Sequence, residues 1–134
     1  MTGYMNSSRL AAYRSVASHG GVAVADPHGL ILMLIDGALE RIAAARGNMQ
    51  HRRIAEKCAL IQRALEIVQE LRASLDTDAG GEIARNLDSL YDFMARQLVR
   101  ANAENRVELL DDVSRLLLEV RGAWVAMPVE RRAR

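Results

Sequence analysis

Apolar residues recur at helical spacing in four long segments of the chain. Over residues 80–102, GGEIARNLDSLYDFMARQLVRAN, the side chains of Ile83, Leu87, Leu90, Met94, Leu98 and Ala101 fall at steps of four and three, one stripe along an α-helix. Asp78 is placed to cap this helix, and Glu82 sits in its first turn, where the helix dipole favours an acid. No catalytic group lies on the stripe, so the segment reads as a packing element. A helix over about 27–46 opens on Asp26-Pro27, a capping acid followed by a proline at the first helical position. It carries Leu30, Leu34, Ala38, Ile42 and Ala45 on one side and is expected to stop near Gly47-Asn48. A helix over about 50–75 has two adjacent apolar lines, Ile54, Cys58, Ile61, Leu65, Val68 and Leu75 in one, and Leu60, Ala64, Ile67 and Leu71 in the other. The last, over about 104–127, sets Val107, Leu110, Val113, Leu117, Val120 and Trp124 on one side, with Pro128 compatible with its stop.

Short connectors between long helices favour antiparallel neighbours. The expected fold is therefore all-α, an antiparallel up-and-down four-helix bundle over residues 26–127. An N-terminal arm, residues 1–25, precedes it, and a short tail, 128–134, follows. The arm holds Leu10, Tyr13 and Val16 at three-residue spacing, long enough for one short extra helix that is marginal unless it docks.

Composition narrows the function. Apolar residues make up 50% of the 134 and aromatics 4%, so the core must be aliphatic; a chain of this size buries roughly two thirds of its unfolded surface. No run of 18 apolar residues occurs, so no membrane insertion is expected. No signal peptide is expected either. The net charge is +1 and every basic residue but Lys57 is an arginine, interleaved with acids along the helices. Nucleic-acid binders cluster such charge on one face, so no nucleic-acid partner is expected.

Chemistry is sparse. A di-iron bundle needs inward Glu-x-x-His pairs, and none of His19, His28 and His51 has a glutamate three residues before it. One cysteine excludes a Cys-x-x-Cys-His haem attachment and an internal disulfide; Cys58 reads as a structural thiol, which fits a reducing compartment. Met33, Met94 and Met127 read as core packing rather than ligands. The run Asp76 to Gly81 hints at a calcium loop, but its twelfth position is Leu87 where the pattern needs an acid. No cofactor, no metal and no enzymatic activity are expected.

What remains is surplus apolar surface. A bundle helix needs about three apolar positions in seven, whereas the second helix has two lines and the first adds Ile31, Ile35 and Leu39 beside its stripe. Either the core is broad or an exposed groove receives an amphipathic partner segment.

The segment DPHGLILMLIDGAL, residues 26–39, resembles the Ser-Pro-x-x-Leu-Ile-x-Met-Leu-Tyr-Asp-Gly-Ala signature of the flagellar secretion chaperones, the FliS family. Residues 80–102 resemble that family's second block, from Gly-Gly-Glu-Ile-Ala through Asn-Leu and Leu-Tyr to Ala-Asn. Trp124 and Tyr13 fall where the family carries Trp and Tyr, and order and spacing hold from about Leu10 to Met127. Asp26 replaces Ser or Thr with another capping residue; Ile35 replaces an aromatic; Phe93 stands where Tyr is common. The resemblance implies a chaperone of the bacterial cytosol that binds the disordered C-terminal region of flagellin. It also implies that the chaperone prevents early polymerisation and helps delivery to the cytosolic domain of the flagellar type III export gate. Client segments would become helices in apolar grooves. On this reading Leu60, Ala64, Ile67, Leu71, Ile31 and Ile35 are the expected client groove, and Leu10, Tyr13 and Val16 cap it or meet the gate. Trp124 is expected as a core anchor, Asn102 as the cap of the third helix and Tyr91 with its hydroxyl at the surface. A monomer or a dimer is compatible with the pattern. A helical adaptor or self-associating bundle without a secretion role, or a small cofactor-binding bundle, is the rival reading.

Overall fold

The structure is a computed structural model in which residues 26–127 are described. Four helices follow in order: α1, Pro27–Gln50; α2, Ile54–Ala73; α3, Gly81–Glu104; α4, Val107–Val125. Each packs on its sequence neighbour, and α4 closes back onto α1, the all-α four-helix bundle that the pattern implies. Cross-helix bonds fix the alternation. Arg46 near the end of α1 meets Asp111 near the start of α4, while Asp36 meets Arg121.

α1 begins as its residues dictate. The Asp26 carboxylate accepts from the Gly29 amide at 2.7 Å, and Pro27 occupies the first turn, where no amide is needed. The helix passes Gly47 and continues to Gln50, because one more turn brings Met49 into the core. It ends where Arg52 takes a left-handed φ of 58°, and the Arg53 amide reaches back to the Asn48 carbonyl at 2.8 Å. The α2–α3 turn differs from expectation too. The Asp76 side chain accepts from the Ala79 amide at 3.0 Å, and the chain enters α3 through Gly81 at φ 59°. Asp78 is thus too far upstream to cap α3. Asn102 is no cap either; Asn105, left-handed at φ 53°, closes α3.

The core is aliphatic and closely spaced. Ile35, Ile42, Ile61, Leu71, Met94, Leu98, Leu110 and Leu117 are sealed, and alanines 38, 45, 64 and 101 stand between them with no exposed surface. Small side chains at these places let the helix axes approach, so leucine and isoleucine from neighbouring helices interdigitate. Trp124 anchors one end of the bundle. Its indole stacks on His28 at 5.2 Å and donates through Nε1 to the His28 carbonyl at 3.0 Å. At the other end Lys57 is buried and donates to the Asn102 carbonyl at 2.9 Å, tying the start of α2 to the end of α3.

Tyr91 packs its ring into the core, with 3% of the residue exposed. Burial raises its pKa above the ordinary tyrosine range. The unfolded phenol ionises near pH 10, so above that pH unfolding releases a proton that the native state retains, and stability falls as pH rises. Tyr91→Phe is expected to remove this component, up to about 1.4 kcal/mol per pH unit. Urea unfolding at pH 9 and pH 11 measures it; an equal alkaline loss in both proteins would exclude Tyr91 as the source.

Candidate functional site

α1 and α2 each bury a face centred between the two apolar lines seen in the sequence. On α1 that face is Leu30, Ile31, Ile35, Ala38, Ile42, Ala45 and Met49; on α2 it is Ile61, Ala64, Val68 and Leu71, with Lys57 at its start. A helix advances 100° per residue, so two adjacent lines flank one core direction instead of pointing to two separate surfaces. Ile31, Ile35, Ala64 and Leu71, four of the six residues expected to line a groove, are therefore core residues at 3% exposure or less. Leu60 and Ile67 are half-buried on the flank of α2 that meets α1.

A recess does open there. Between α1 and α2 runs a groove of about 740 Å³, with Met33, Leu34, Gly37 and Arg41 on one wall, Arg63, Ile67 and Glu70 on the other, and Leu30 at one end. From Leu30 to Arg41 it follows α1 for about 16 Å at 1.5 Å per residue. Ile67 thus lies in the groove, while Leu60 sits two turns earlier on the same line of α2 and outside it. Leu10, Tyr13 and Val16 lie outside the described residues.

Three features of the groove were not singled out from sequence. Met33 is 39% exposed and forms part of its wall. The run Leu30 to Ile35 is six consecutive apolar residues, which must cover every side of a helix, so one of them has to face out; that signal was available. Gly37 leaves a low place in the wall, where the Arg41 side chain folds back and donates to the Gly37 carbonyl at 3.1 Å. Arg41 itself carries no sequence signal that separates it from the other arginines.

Carboxylates border the recess: Asp36, Glu40, Glu66 and Glu70. Asp36 is forked by Arg121 at 2.6 and 3.4 Å, and Glu66 is held by Arg63 at 3.2 Å. Side-chain hydrogen bonding to Asp36 holds the Arg121 guanidinium above its ordinary range. The wall is thus apolar at depth and charged at its edge, the profile that buries the stripe of an amphipathic helix and leaves its polar face wet. Among the described residues, no group of three or more His, Cys, Asp or Glu is arranged to hold a metal ion, and no helix is long and apolar enough to cross a membrane.

The fold and recess together define a helical bundle with an open amphipathic groove. Comparison with known proteins makes this specific. Residues 9–131 match the family described as flagellar protein FliS, and the chain belongs to that family. It is 49% identical over 112 residues to the flagellar secretion chaperone FliSB of Pseudomonas aeruginosa, a match spanning 84% of this chain and 89% of that one. It is 40% identical over 121 residues to the flagellar secretion chaperone FliS of Vibrio cholerae, spanning 90% and 89%. It is also 32% identical over 114 residues to the FliS of Bacillus subtilis, spanning 84% of each.

Gly37 has a measurable consequence. An added Cβ would stand 3.5 Å from Arg41 Nη1 and 3.6 Å from Ile67 Cδ1, ordinary contact distances. Gly37→Ala is therefore expected to stabilise α1 by up to about 1 kcal/mol through helix propensity. Denaturant unfolding measures this; a clear loss of stability would mean that the wall cannot accommodate a methyl group.

Proposed function

We propose that the protein is an export chaperone of the bacterial cytosol that holds the C-terminal segment of flagellin. The segment would be taken as a helix in the α1–α2 groove, kept from premature polymerisation, and passed on to the cytosolic domain of the flagellar export gate. The observation that carries this reading is the open recess over Met33, Leu34, Gly37 and Ile67, in a chain whose relatives are named flagellar secretion chaperones. A volume of this order falls within the roughly 300–1,000 Å³ of clefts that bury a ligand's apolar groups. Its length suits about three helical turns, enough for apolar anchors at i, i+3 or i+4, and i+7. A client that is disordered when free orders as it binds, so each buried anchor has to offset chain entropy.

Ile67 is the residue of this groove that tests the reading most directly, being half-buried in the free protein and close to Gly37 across the recess. Ile67→Asp is expected to weaken binding of a flagellin C-terminal peptide by about 2 kcal/mol, roughly thirtyfold, through lost burial and a stranded charge. Titration calorimetry with the folded variant measures it, and unchanged affinity would remove Ile67 from the site. Leu60, on the same line of α2, extends the proposed contact toward the α1–α2 turn. Ile31, Ile35, Ala64 and Leu71 act in this reading by shaping the floor from beneath.

The arm is proposed to compete for the groove through Leu10, Tyr13 and Val16. Its chain joins α1 at Asp26, within four residues of the Leu30 end of the recess. Removing residues 1–17 is then expected to tighten the client complex by the free energy of undocking. Unchanged affinity together with failed export would assign the arm to the gate instead.

A further inference from the structure

Four arginines of the described residues are half-buried, and three of them tie helices together. Arg46 forks Asp111 at 2.7 and 3.2 Å. Arg72 forks Asp88 at 2.8 and 3.4 Å and reaches Asp92 at 2.9 Å. Arg121 forks Asp36 at 2.6 and 3.4 Å. The fourth, Arg41, meets no carboxylate among the described residues. Its one hydrogen bond runs to the Gly37 carbonyl at 3.1 Å, an oxygen that the α-helical ladder already engages. A planar guanidinium presents five donors in a fork matched to a carboxylate, and here that fork lies in the wall of the groove.

We infer that Arg41 is the groove's anchor for a carboxylate on the bound helical segment, and that it sets the register in which the segment lies. The inference rests on the groove being the client site. The charges around Arg41 give it this selectivity. Glu40 edges the recess next to Arg41, while Glu66 is already held by Arg63 on the opposite wall, so an acidic side chain docked beside Glu40 meets a like charge. Beside Arg41 it meets a guanidinium whose competing acceptor is an uncharged carbonyl of its own helix. One acid on the client is accepted at Arg41 and opposed at Glu40, which discriminates between registers by repulsion as well as attraction. Gly37 adjoins it: a Cβ there would stand 3.5 Å from Arg41 Nη1, so the guanidinium lies along bare backbone at this point of the wall.

The test uses the full chain and a flagellin C-terminal peptide, with Ile67→Asp as the control for the groove. Arg41→Gln is expected to weaken binding about tenfold and to flatten its dependence on salt, while Arg41→Lys, which cannot fork, restores only part of the loss. Arg41→Glu is expected to weaken it further, and replacing one particular client acid by lysine should recover affinity in that variant alone. Wild-type affinity in the Arg41 variants alongside weakened binding by Ile67→Asp would overturn the anchor and leave the groove standing. Wild-type affinity in all of them would overturn both. A loss in Arg41→Glu that no client substitution recovers would overturn the ion pair.

Discussion

The bundle has to hold together almost entirely by aliphatic packing, and that depends on bringing helix axes close. Dispersion falls off steeply with distance, so an aliphatic core with few rings gains its cohesion only where side chains interdigitate. Buried alanines at 38, 45, 64 and 101 set that spacing, and the sealed leucines and isoleucines fill what is left. Everything at the periphery follows from it. Ala38, Ile42, Ile61 and Ala64 are sealed in the core that α1 and α2 share, and the recess over Gly37 and Ile67 lies outside them, between the two helices.

The ends of the helices are held by other means. Forked Arg–Asp pairs stitch α1 to α4 and α2 to α3, but these groups are about 35–46% exposed, and exposed pairs contribute little to stability. Their directional geometry fixes register more than it adds free energy. Trp124 stacked on His28 and Lys57 bonded to the Asn102 carbonyl do the corresponding work at the two ends of the bundle, in buried surroundings where a polar group must find a partner.

Much of this was legible in the chain. The number and order of helices follow from periodicity, the start of α1 from Asp26-Pro27, and the anchoring role of Trp124 from its place on the last stripe. The turns were less so. Gly47 looks like a stop, yet Arg52 takes the left-handed position after α1, and an arginine in that conformation gives no sequence signal; at the end of α3 an asparagine does close the helix, but it is Asn105 and not Asn102. Asp78 looks like a cap, but Asp76 engages the turn first. The groove was legible as an excess of apolar surface and not as a set of residues. Two lines at a spacing of three and four resolve which helix is broad; they leave open whether the core lies on one line or between them. Here it lies between, so Ala64 and Leu71 went inward while Met33 and Ile67 were left at the rim. Arg41 is distinguished only by what the other half-buried arginines are bonded to, which is knowledge of three dimensions.

Lys57 is the chain's sole lysine, and its ammonium is sealed against the last turn of α3. The positive charge on the outside of the described bundle is therefore carried by guanidinium groups, with His51 at the α1–α2 turn the exposed imidazole. Guanidinium holds its proton throughout the physiological range, and amine-directed acylation has no side-chain target on that surface. The electrostatic face of this molecule thus answers to ionic strength, while acidity and amine chemistry leave its cations largely as they are.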